Sequence, residues 1–412
     1  MSLALTHAVE RLDGRYPGQL VDLVVEHGPG RRVVAVKNVT VGEDYFQGHF
    51  PGAPVMPGVL MLETFAQAAT ALVAASGRER ARLRGVDGAK FRRPVVPGDR
   101  VRVEIVVDRE RTALARVRAT AWVGEQVAVE ATLWLAISPA PTDIHPSAIV
   151  SPGATIGLGT TIGPHATIGP HVVIGANCKI GASAVIDGWT TIGDDNDIYP
   201  LVSIGLAPQD LKYSGGVTRV TIGSNNVFRE FVTIHRGTEG GGGHTQIGDR
   251  NLFMASAHVA HDCHVGSDTI FGNGATLGGH VHVDDFATIS AFSGVHQFCR
   301  VGRYAFVGGY SVVTKDALPY GKTVGNRARI YGLNTIGLVR RGFSPALVRQ
   351  IRQAYRALLQ SKMNTSQALQ HIEQEPDLQA PEVQLLVTFI RTSRRGVTLR
   401  RGGKRADDGS DE

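Results

Sequence analysis

Cysteine is scarce in this chain, with three residues in 412, at positions 178, 263 and 299. So few, with none in a C-x-x-C spacing, exclude a disulfide framework and a cysteine-based metal centre. Aromatic residues make up only 6% of the chain. There is no aromatic-rich basic stripe and no nucleic-acid-reading motif, so nucleic acid is not the expected partner. Long apolar runs are also missing. No stretch holds eighteen uninterrupted apolar residues, and the opening MSLALTHAVERLDGRYP lacks a long apolar core. Neither a membrane-spanning helix nor a secretory leader is therefore expected, and a cytoplasmic protein without stable membrane insertion is.

Glycine is plentiful, at 50 residues, which points to many turns and short strands. A length of 412 residues exceeds one ordinary core and calls for two or three folded units. The net charge of +6 is unevenly spread: residues 335–412 carry 13 Lys and Arg against 8 Asp and Glu, a local +5. Such a surface suits an acidic partner.

A repeat organises the second part of the chain. From Ile144 an apolar residue recurs every six positions, through Val150, Ile156 and Ile162 to Ile204. The register returns at Ile222, Phe228 and Ile234, and then, shifted by one residue, runs from Ile247 to Val313. Neither a 3.6-residue nor a 2.0-residue period explains a strict six. A triangular solenoid does: each hexapeptide is a short strand and a turn, three close one coil, and each apolar residue stacks on its counterpart eighteen residues on. The glycines that often follow these positions are expected to relieve corners needing positive φ. The two breaks, 207–219 (APQDLKYSGGVTR) and 237–245 (GTEGGGGHT), read as loops thrown out of the coil and as binding surfaces.

The repeat ends after Pro319. Ser344-Pro345 reads as an N-cap followed by proline at the first helical position, opening a helix over 344–362. Shorter helices are expected near 365–375 and 381–393. The expected organisation is 1–139 as a first domain, 143–335 as the solenoid, 336–397 as a helical subdomain and 398–412 as a disordered tail.

The first domain reads differently. A loop, GHFPGAPVMPG, leads into the apolar segment GVLMLETFAQAATALVAAS, and strand-like runs follow at 100–107, 113–122 and 126–138. One helix wrapped by an antiparallel sheet is the economical arrangement. Glu63 is the only ionisable residue between Gly58 and Arg78, and a buried carboxylate there would be costly unless paired or protonated. His49, in the rigid loop just before this helix, suggests the other half of an acid/base pair. A carboxylate accepting a local hydrogen bond at a helix start is the plainer alternative. Backbone N–H groups near Gly58 could polarise a thioester carbonyl.

Phe46 to Leu60 (FQGHFPGAPVMPGVL), with Glu63 and Gln67 beyond it and KFRRPVVPGD later, closely resembles the bacterial (3R)-hydroxyacyl-carrier-protein dehydratases of hot-dog fold. The resemblance implies an α+β hot-dog domain. It implies that His49 removes the α-proton, that Glu63 handles the departing hydroxyl, and that the pair comes together from the two chains of a dimer. Glutamate at 63 fits the branch without isomerase activity.

In the solenoid, histidine is concentrated in AHVAHDCH, 257–264, with His280, His282 and His296 downstream. Eighteen-residue stacking sets His261 beside Gly279, Asp262 beside His280, and His264 on His282. A histidine base next to an unencumbered glycine N–H is what acyl transfer needs: His261 would deprotonate a hydroxyl, and the Gly279 N–H would hold the oxyanion. Asp262 could orient a neighbouring imidazole. A metal site of His258, His264 and His282 and a merely structural histidine ladder are the rival readings.

The segments QDLKY (209–213), TIHRG (233–237), HVAHDC (258–263), VHQF (295–298) and RRGF (340–343) closely resemble the bacterial UDP-N-acetylglucosamine O-acyltransferases, which make the first committed step of lipid A synthesis. The resemblance implies a left-handed parallel β-helix with a C-terminal helical subdomain, and a trimer with its sites between solenoids. It implies His261 as the general base for the glucosamine 3-hydroxyl. Asp210, Lys212, His258, His280, His296 and Gln297 would line the sugar-nucleotide and phosphopantetheine sites, Asn334, Arg340 and Arg341 would meet uridine and phosphate, and Gly309 would set acyl length.

The two resemblances imply one bifunctional chain. Both halves would take a (3R)-hydroxyacyl group from acyl carrier protein, the first to dehydrate it for fatty-acid elongation and the second to transfer it to UDP-N-acetylglucosamine. No cofactor is expected beyond the phosphopantetheine of the carrier, and no resident metal. A two-fold contact in front and a three-fold contact behind are jointly satisfied by a closed D3 hexamer. The alternative keeps the acyltransferase and makes the first domain a thioesterase or a dimerisation module.

Overall fold

The structure is a computed structural model describing residues 18–28, 31–73, 79–111, 114–139, 141–361 and 363–399. The chain divides into two compact units, Met1–Pro141 and Thr142–Glu412. All but two residues of the tail expected at 398–412 lie outside the described residues.

In the first unit, strands β1 (Leu23–Gly28) and β2 (Arg32–Asn38) precede helix α1 (Gly58–Val73). Strands β3 (Glu79–Phe91), β4 (Arg100–Arg111), β5 (Leu114–Val123) and β6 (Gln126–Pro139) follow. They form one antiparallel sheet in the order β1-β2-β4-β5-β6-β3. Met61, Phe65, Ala68, Ala69 and Leu72 recur at helical spacing on α1 and are buried against Val33, Val103, Val117 and Leu133 of the sheet. This is the helix wrapped by a sheet that the sequence suggests. β1, β2 and β3 were not anticipated, and β3 is the longest of the three. Its sequence, ERARLRGVDGAKF, breaks the apolar/polar alternation, and its ladder with β6 slips at Leu83/Gly85 and Asp87/Lys90.

The second unit is a parallel β-helix. Its short strands stack into three sheets of eleven, nine and eight strands, called here faces A, B and C. Neighbouring coils pair eighteen residues apart, as in Ile162 with Ile180 and Ile270 with Thr288. Across the two breaks the spacing grows to Trp189 with Arg219 and then to Thr233 with His258. Both breaks leave the coil at the same corner, between faces B and C. The stacked residues form one continuous core from Ile162 to Ala317, in which Phe228, Phe253 and Phe271 stack at ring separations of 5.0 and 4.5 Å. Ile144 departs from the expected inward set, being 42% exposed on the first strand of its face.

The corner glycines need a correction. The residues with positive φ sit three positions after the core residue and are mostly polar or aromatic, such as Asn177 (φ 57°), Asp262 (φ 58°) and Phe298 (φ 64°). The glycine directly after the core residue answers a different need. A Cβ on Gly181 would come within 2.5 Å of the Pro200 nitrogen in the next coil. Close stacking of coils, rather than backbone handedness, requires glycine there.

The last coil strand, Gly321–Val324, pairs antiparallel with Arg329–Leu333 and closes face A. Helix α2 (Thr335–Arg340), which has no clear sequence signal, precedes α3 (Pro345–Gln360), α4 (Thr365–Gln374) and α5 (Pro381–Arg391). Ser344 caps α3 by accepting from the Leu347 N–H at 3.2 Å. A separate apolar cluster, including Tyr320, Ile351, Tyr355 and Leu386, joins these helices to the end of the coil.

Candidate active sites

In the first unit the loop before α1 presents His49 at the edge of a cleft of about 370 Å³ lined also by Met56, Gly58, Phe91 and Pro94. His49 Nδ1 lies 2.7 Å from the Val55 carbonyl, so it donates there and leaves Nε2 with a lone pair. Gly58 opens α1 where a Cβ would press on the Phe91 ring at 2.8 Å, and the Gly58 N–H has no acceptor among the described residues. Glu63 departs from expectation. It is exposed rather than sequestered, and its Oε1 accepts from Gln67 Nε2 at 3.0 Å. Gln67 is in turn held by Gly18, Leu20 and Val21. No hydrogen bond or ion pair joins His49 to Glu63 among the described residues. The reason is geometric: Val59 and Glu63 lie one turn apart on the face of α1 turned away from the sheet that buries its opposite side.

In the second unit the candidate residues gather at the corner between faces B and C. His261 and Gly279 occupy equivalent places in successive coils, and a Cβ on Gly279 would collide with the imidazole. His261 Nδ1 stands 2.9 Å from Asp262 Oδ2, which orients the ring and leaves Nε2 as its basic nitrogen. At the neighbouring corner, between faces C and A, the amide two residues after the core residue is capped by a side chain one coil on, as Asp194 caps Ala176 and Ser267 caps Asp249. The Gly279 amide has no such cap and no other acceptor among the described residues. A base and an unencumbered donor thus share one corner.

Asp262 is only 2% exposed. It accepts from the Thr238 amide and hydroxyl, the latter at 2.6 Å, and from the Gly243 and His244 amides at 3.1 and 3.3 Å. Burial alone would raise its pKa, but the hydrogen bonds from Thr238 and His261 and the nearby His280 outweigh it and hold the carboxyl below the usual aspartate value. The donors lie in the second insertion, whose glycines let the backbone close on the carboxylate: a Cβ on Gly241 would strike Asp262. Sequence reading took this insertion for a binding surface and missed Thr238. The run Gly240–Gly243 just before the histidine-rich coils was the available signal.

The neighbours follow the stacking. The His280 ring stacks on Phe298 at 4.3 Å and meets His261 edge-on at 5.1 Å. His258 Nδ1 is 2.7 Å from Thr233 Oγ1. Burial lowers the pKa of both His258 and His280, and it takes His235 further down, to about 4, with help from His258 and His261. Asp210 and Lys212 sit in the first insertion at the same corner, where Asp210 accepts from the Lys212 amide at 3.0 Å. His296 and Gln297 lie two coils beyond His261, exposed, with Arg395 Nη2 3.1 Å from His296 Nδ1.

The rival metal set does not assemble. His264 and His282 stack at 4.7 Å on face C, whereas His258 stands on face B. The one group of metal-ligating side chains found close together among the described residues is His261, Asp262 and His280. Its carboxylate already takes hydrogen bonds from Thr238, His244, Gly243 and His261, a donor set that suits an orienting anion better than a metal ligand.

Comparison with known proteins bears on this arrangement. Residues 14–132 match the family described as FabA-like domain, residues 244–279 match bacterial transferase hexapeptide (six repeats), and residues 316–398 match Udp N-acetylglucosamine O-acyltransferase, Domain 2. An acyl-[acyl-carrier-protein]–UDP-N-acetylglucosamine O-acyltransferase of Syntrophobacter fumaroxidans is 49% identical over 215 residues, 52% of this chain and 83% of the relative. This chain belongs to that acyltransferase family. The corresponding enzyme of Myxococcus xanthus is 45% identical over 211 residues, 51% of this chain and 81% of the relative. The UDP-N-acetylglucosamine acyltransferase structure from Bacteroides fragilis superposes with a TM-score of 0.60 at 44% identity, over 61% of this chain and 98% of that one. The chain is thus a FabA-like domain of hot-dog type joined to an acyltransferase of left-handed β-helix type with a helical C-terminal region.

The remaining candidates of this acyltransferase unit lie elsewhere. Asn334, Arg340 and Arg341 line a cavity of about 650 Å³ over face A with Phe286, Tyr304 and Lys322. Asn334 also caps α2, accepting from the Gly337 amide at 3.2 Å, and the Arg341 guanidinium lies 5.1 Å from the Phe286 ring centroid. Gly309 is exposed at the corner between faces A and B, where a Cβ would meet only the Ala291 carbonyl, at 3.4 Å. The structure therefore brings Asp210, Lys212, His258, His261, Asp262, Gly279, His280, His296 and Gln297 to one corner, and sets Asn334, Arg340, Arg341 and Gly309 on other faces of the same prism.

Proposed function

We propose that the second unit transfers a (3R)-hydroxyacyl group from acyl carrier protein to the 3-hydroxyl of UDP-N-acetylglucosamine, and that the first unit dehydrates the same (3R)-hydroxyacyl thioester to the trans-2-enoyl form. The observation that carries the transferase reading is His261, aimed by a buried Asp262 and packed on Gly279, whose amide has no acceptor among the described residues. His261 Nε2 takes the sugar hydroxyl proton as the oxygen attacks the thioester carbon. The Gly279 N–H receives the oxyanion. Collapse breaks the C–S bond, and the thiolate leaves with the proton that His261 returns. The printed names of the relatives, acyl-[acyl-carrier-protein]–UDP-N-acetylglucosamine O-acyltransferases, support the acceptor and the donor. No resident cofactor is required, because the phosphopantetheine comes with the carrier.

In the first unit, Nε2 of His49 would remove the α-proton, and a glutamic acid in the role of Glu63 would give the 3-hydroxyl its proton so that it leaves as water. With Glu63 exposed and without contact to His49, the pair would be completed by a second copy of the chain. Two-fold contacts in front and three-fold contacts behind make the D3 hexamer the proposed assembly, acting in the cytoplasm. Light scattering tests this, and a monodisperse trimer refutes the closed hexamer.

The decisive experiment incubates the full chain with 3-hydroxyacyl carrier proteins of several lengths, with and without UDP-N-acetylglucosamine. His261→Ala should abolish sugar acylation alone and His49→Ala enoyl formation alone. If sugar acylation persists in His261→Ala, the transferase mechanism is wrong. If the wild-type first unit releases free acid instead of enoyl thioester, it is a thioesterase.

A further inference from the structure

The second insertion does more than leave the coil. It lies between the candidate base and the first insertion and touches both through adjacent residues. Thr238 is buried and gives Asp262 two hydrogen bonds, from its amide at 3.0 Å and its hydroxyl at 2.6 Å. Asp262 passes that constraint to His261 through the 2.9 Å contact at Nδ1. Glu239 faces the other way. Its Oε1 accepts from the Ser214 hydroxyl at 2.9 Å and the Gly216 amide at 2.7 Å, both in the first insertion, which carries Asp210 and Lys212. Arg236, two residues before Thr238, donates to the Tyr213 hydroxyl and the Gly205 carbonyl and ties the base of the same loop. Gly237 and Gly241 on either side of Thr238 have no room for a side chain against Asp262, so glycine is what lets the backbone close on the carboxylate there.

We infer that Thr238 and Glu239 are positioning residues with separable tasks: Thr238 aims the base through Asp262, and Glu239 holds the first insertion as a binding wall for the sugar nucleotide. This rests on the transferase reading above. A carboxylate that loses its hydroxyl donor keeps its amide donors and its pairing with His261 but loses its shortest bond, so it is held less firmly and the turnover step suffers while binding does not. A wall that loses its anchor weakens binding, while the base stays aimed.

The test uses the full-length protein with UDP-N-acetylglucosamine and (3R)-hydroxyacyl carrier protein. Thr238→Val should lower kcat roughly ten- to hundred-fold with KM for the sugar nucleotide unchanged, the range expected for one hydrogen bond to a charged group. Thr238→Ser, which keeps the hydroxyl, should restore kcat to near the wild-type value. Glu239→Gln should raise KM several-fold and leave kcat within about two-fold. A kcat within two-fold of wild type in Thr238→Val, equal loss in Thr238→Ser, or a kcat defect at unchanged KM in Glu239→Gln overturns the assignment. A readout independent of turnover is the downfield Nδ1-bound proton of His261 in histidine NMR spectra, assigned by its absence in His261→Gln. It should persist in Thr238→Ser and shift or vanish in Thr238→Val. A wild-type protein that shows this signal and its Thr238 dependence but transfers nothing to the sugar refutes the transferase reading alone. A wild-type that transfers, with signal and kcat both indifferent to Thr238, refutes the inference alone.

Discussion

The two units place a histidine beside a small hydrogen-bond donor in different ways. In the β-helix, His261, its orienting Asp262 and the bare Gly279 amide belong to one corner of one chain, because parallel coils set residues eighteen apart side by side. In the hot-dog unit, His49 lies along a cleft and Glu63 on the outer face of α1, with no contact between them in the same chain. A repeat builds an active corner locally. A single helix inside a curved sheet has one face for its core and another for a partner, so its pair of ionisable groups is divided.

The sharpest blow to this contrast is Gly279→Ala. The added Cβ would push the His261 ring from its place, so sugar acylation should fall on the order of 10²–10³-fold while enoyl formation is unchanged. An unimpaired transferase would mean that His261 and Gly279 do not act together. Next comes subunit mixing. His49→Ala and Glu63→Ala, each inactive in dehydration, should recover about a quarter of wild-type activity when refolded together, as half the dimers are mixed and each holds one intact pair. His261→Ala mixed with Gly279→Ala should recover nothing, since both groups belong to one chain's corner. Recovery in the second mixture, or none in the first, would reverse the comparison.

A smaller effect concerns pH. His235 is buried, and its pKa falls to about 4 from 6.5. The unfolded chain therefore binds this proton more readily, so the contribution is complete above pH 6.5 and is lost as pH drops toward 4, on the order of 2–3 kcal/mol. His235→Gln should flatten urea-unfolding stability across that window, and an unchanged slope would contradict it. The smallest expected effect is Asn226→Ala. Asn226 passes hydrogen bonds between Asn196 and Asn251 in a buried ladder along the coil. Its loss should cost roughly 1–3 kcal/mol of solenoid stability and leave the first unit's thermal transition in place.

The solenoid could be read almost residue by residue, since the inward positions from Ile162 to Val313 obey a period that no helix or ordinary strand shares. The pairing of His264 with His282 and of His261 with Gly279 followed from the same arithmetic. Strand β3 could not be read, because its glycines and arginines hide an edge strand that only pairing with β6 defines. Nor could the exposure of Glu63, since apolar neighbours in sequence are not neighbours around a helix. The corner glycines were assigned to the wrong cause, as close approach between coils leaves no mark on a single coil's own sequence. Thr238 was invisible for a related reason: it lies in an insertion that the hexapeptide register does not cover, so nothing in the repeat pairs it with Asp262.

The amino-acid sequence by itself determined the period, hence the coil, the stacking of its histidines and the capped helix that opens at Ser344. Those features depend on spacing, and spacing is a local property. Only the tertiary structure decided how the second insertion closes on Asp262, which face of α1 shows Glu63 to solvent, and that Arg340 and Arg341 stand on a different face from His261. Those depend on distances between segments that leave the repeat, where no periodicity constrains the chain and packing and hydrogen bonding choose.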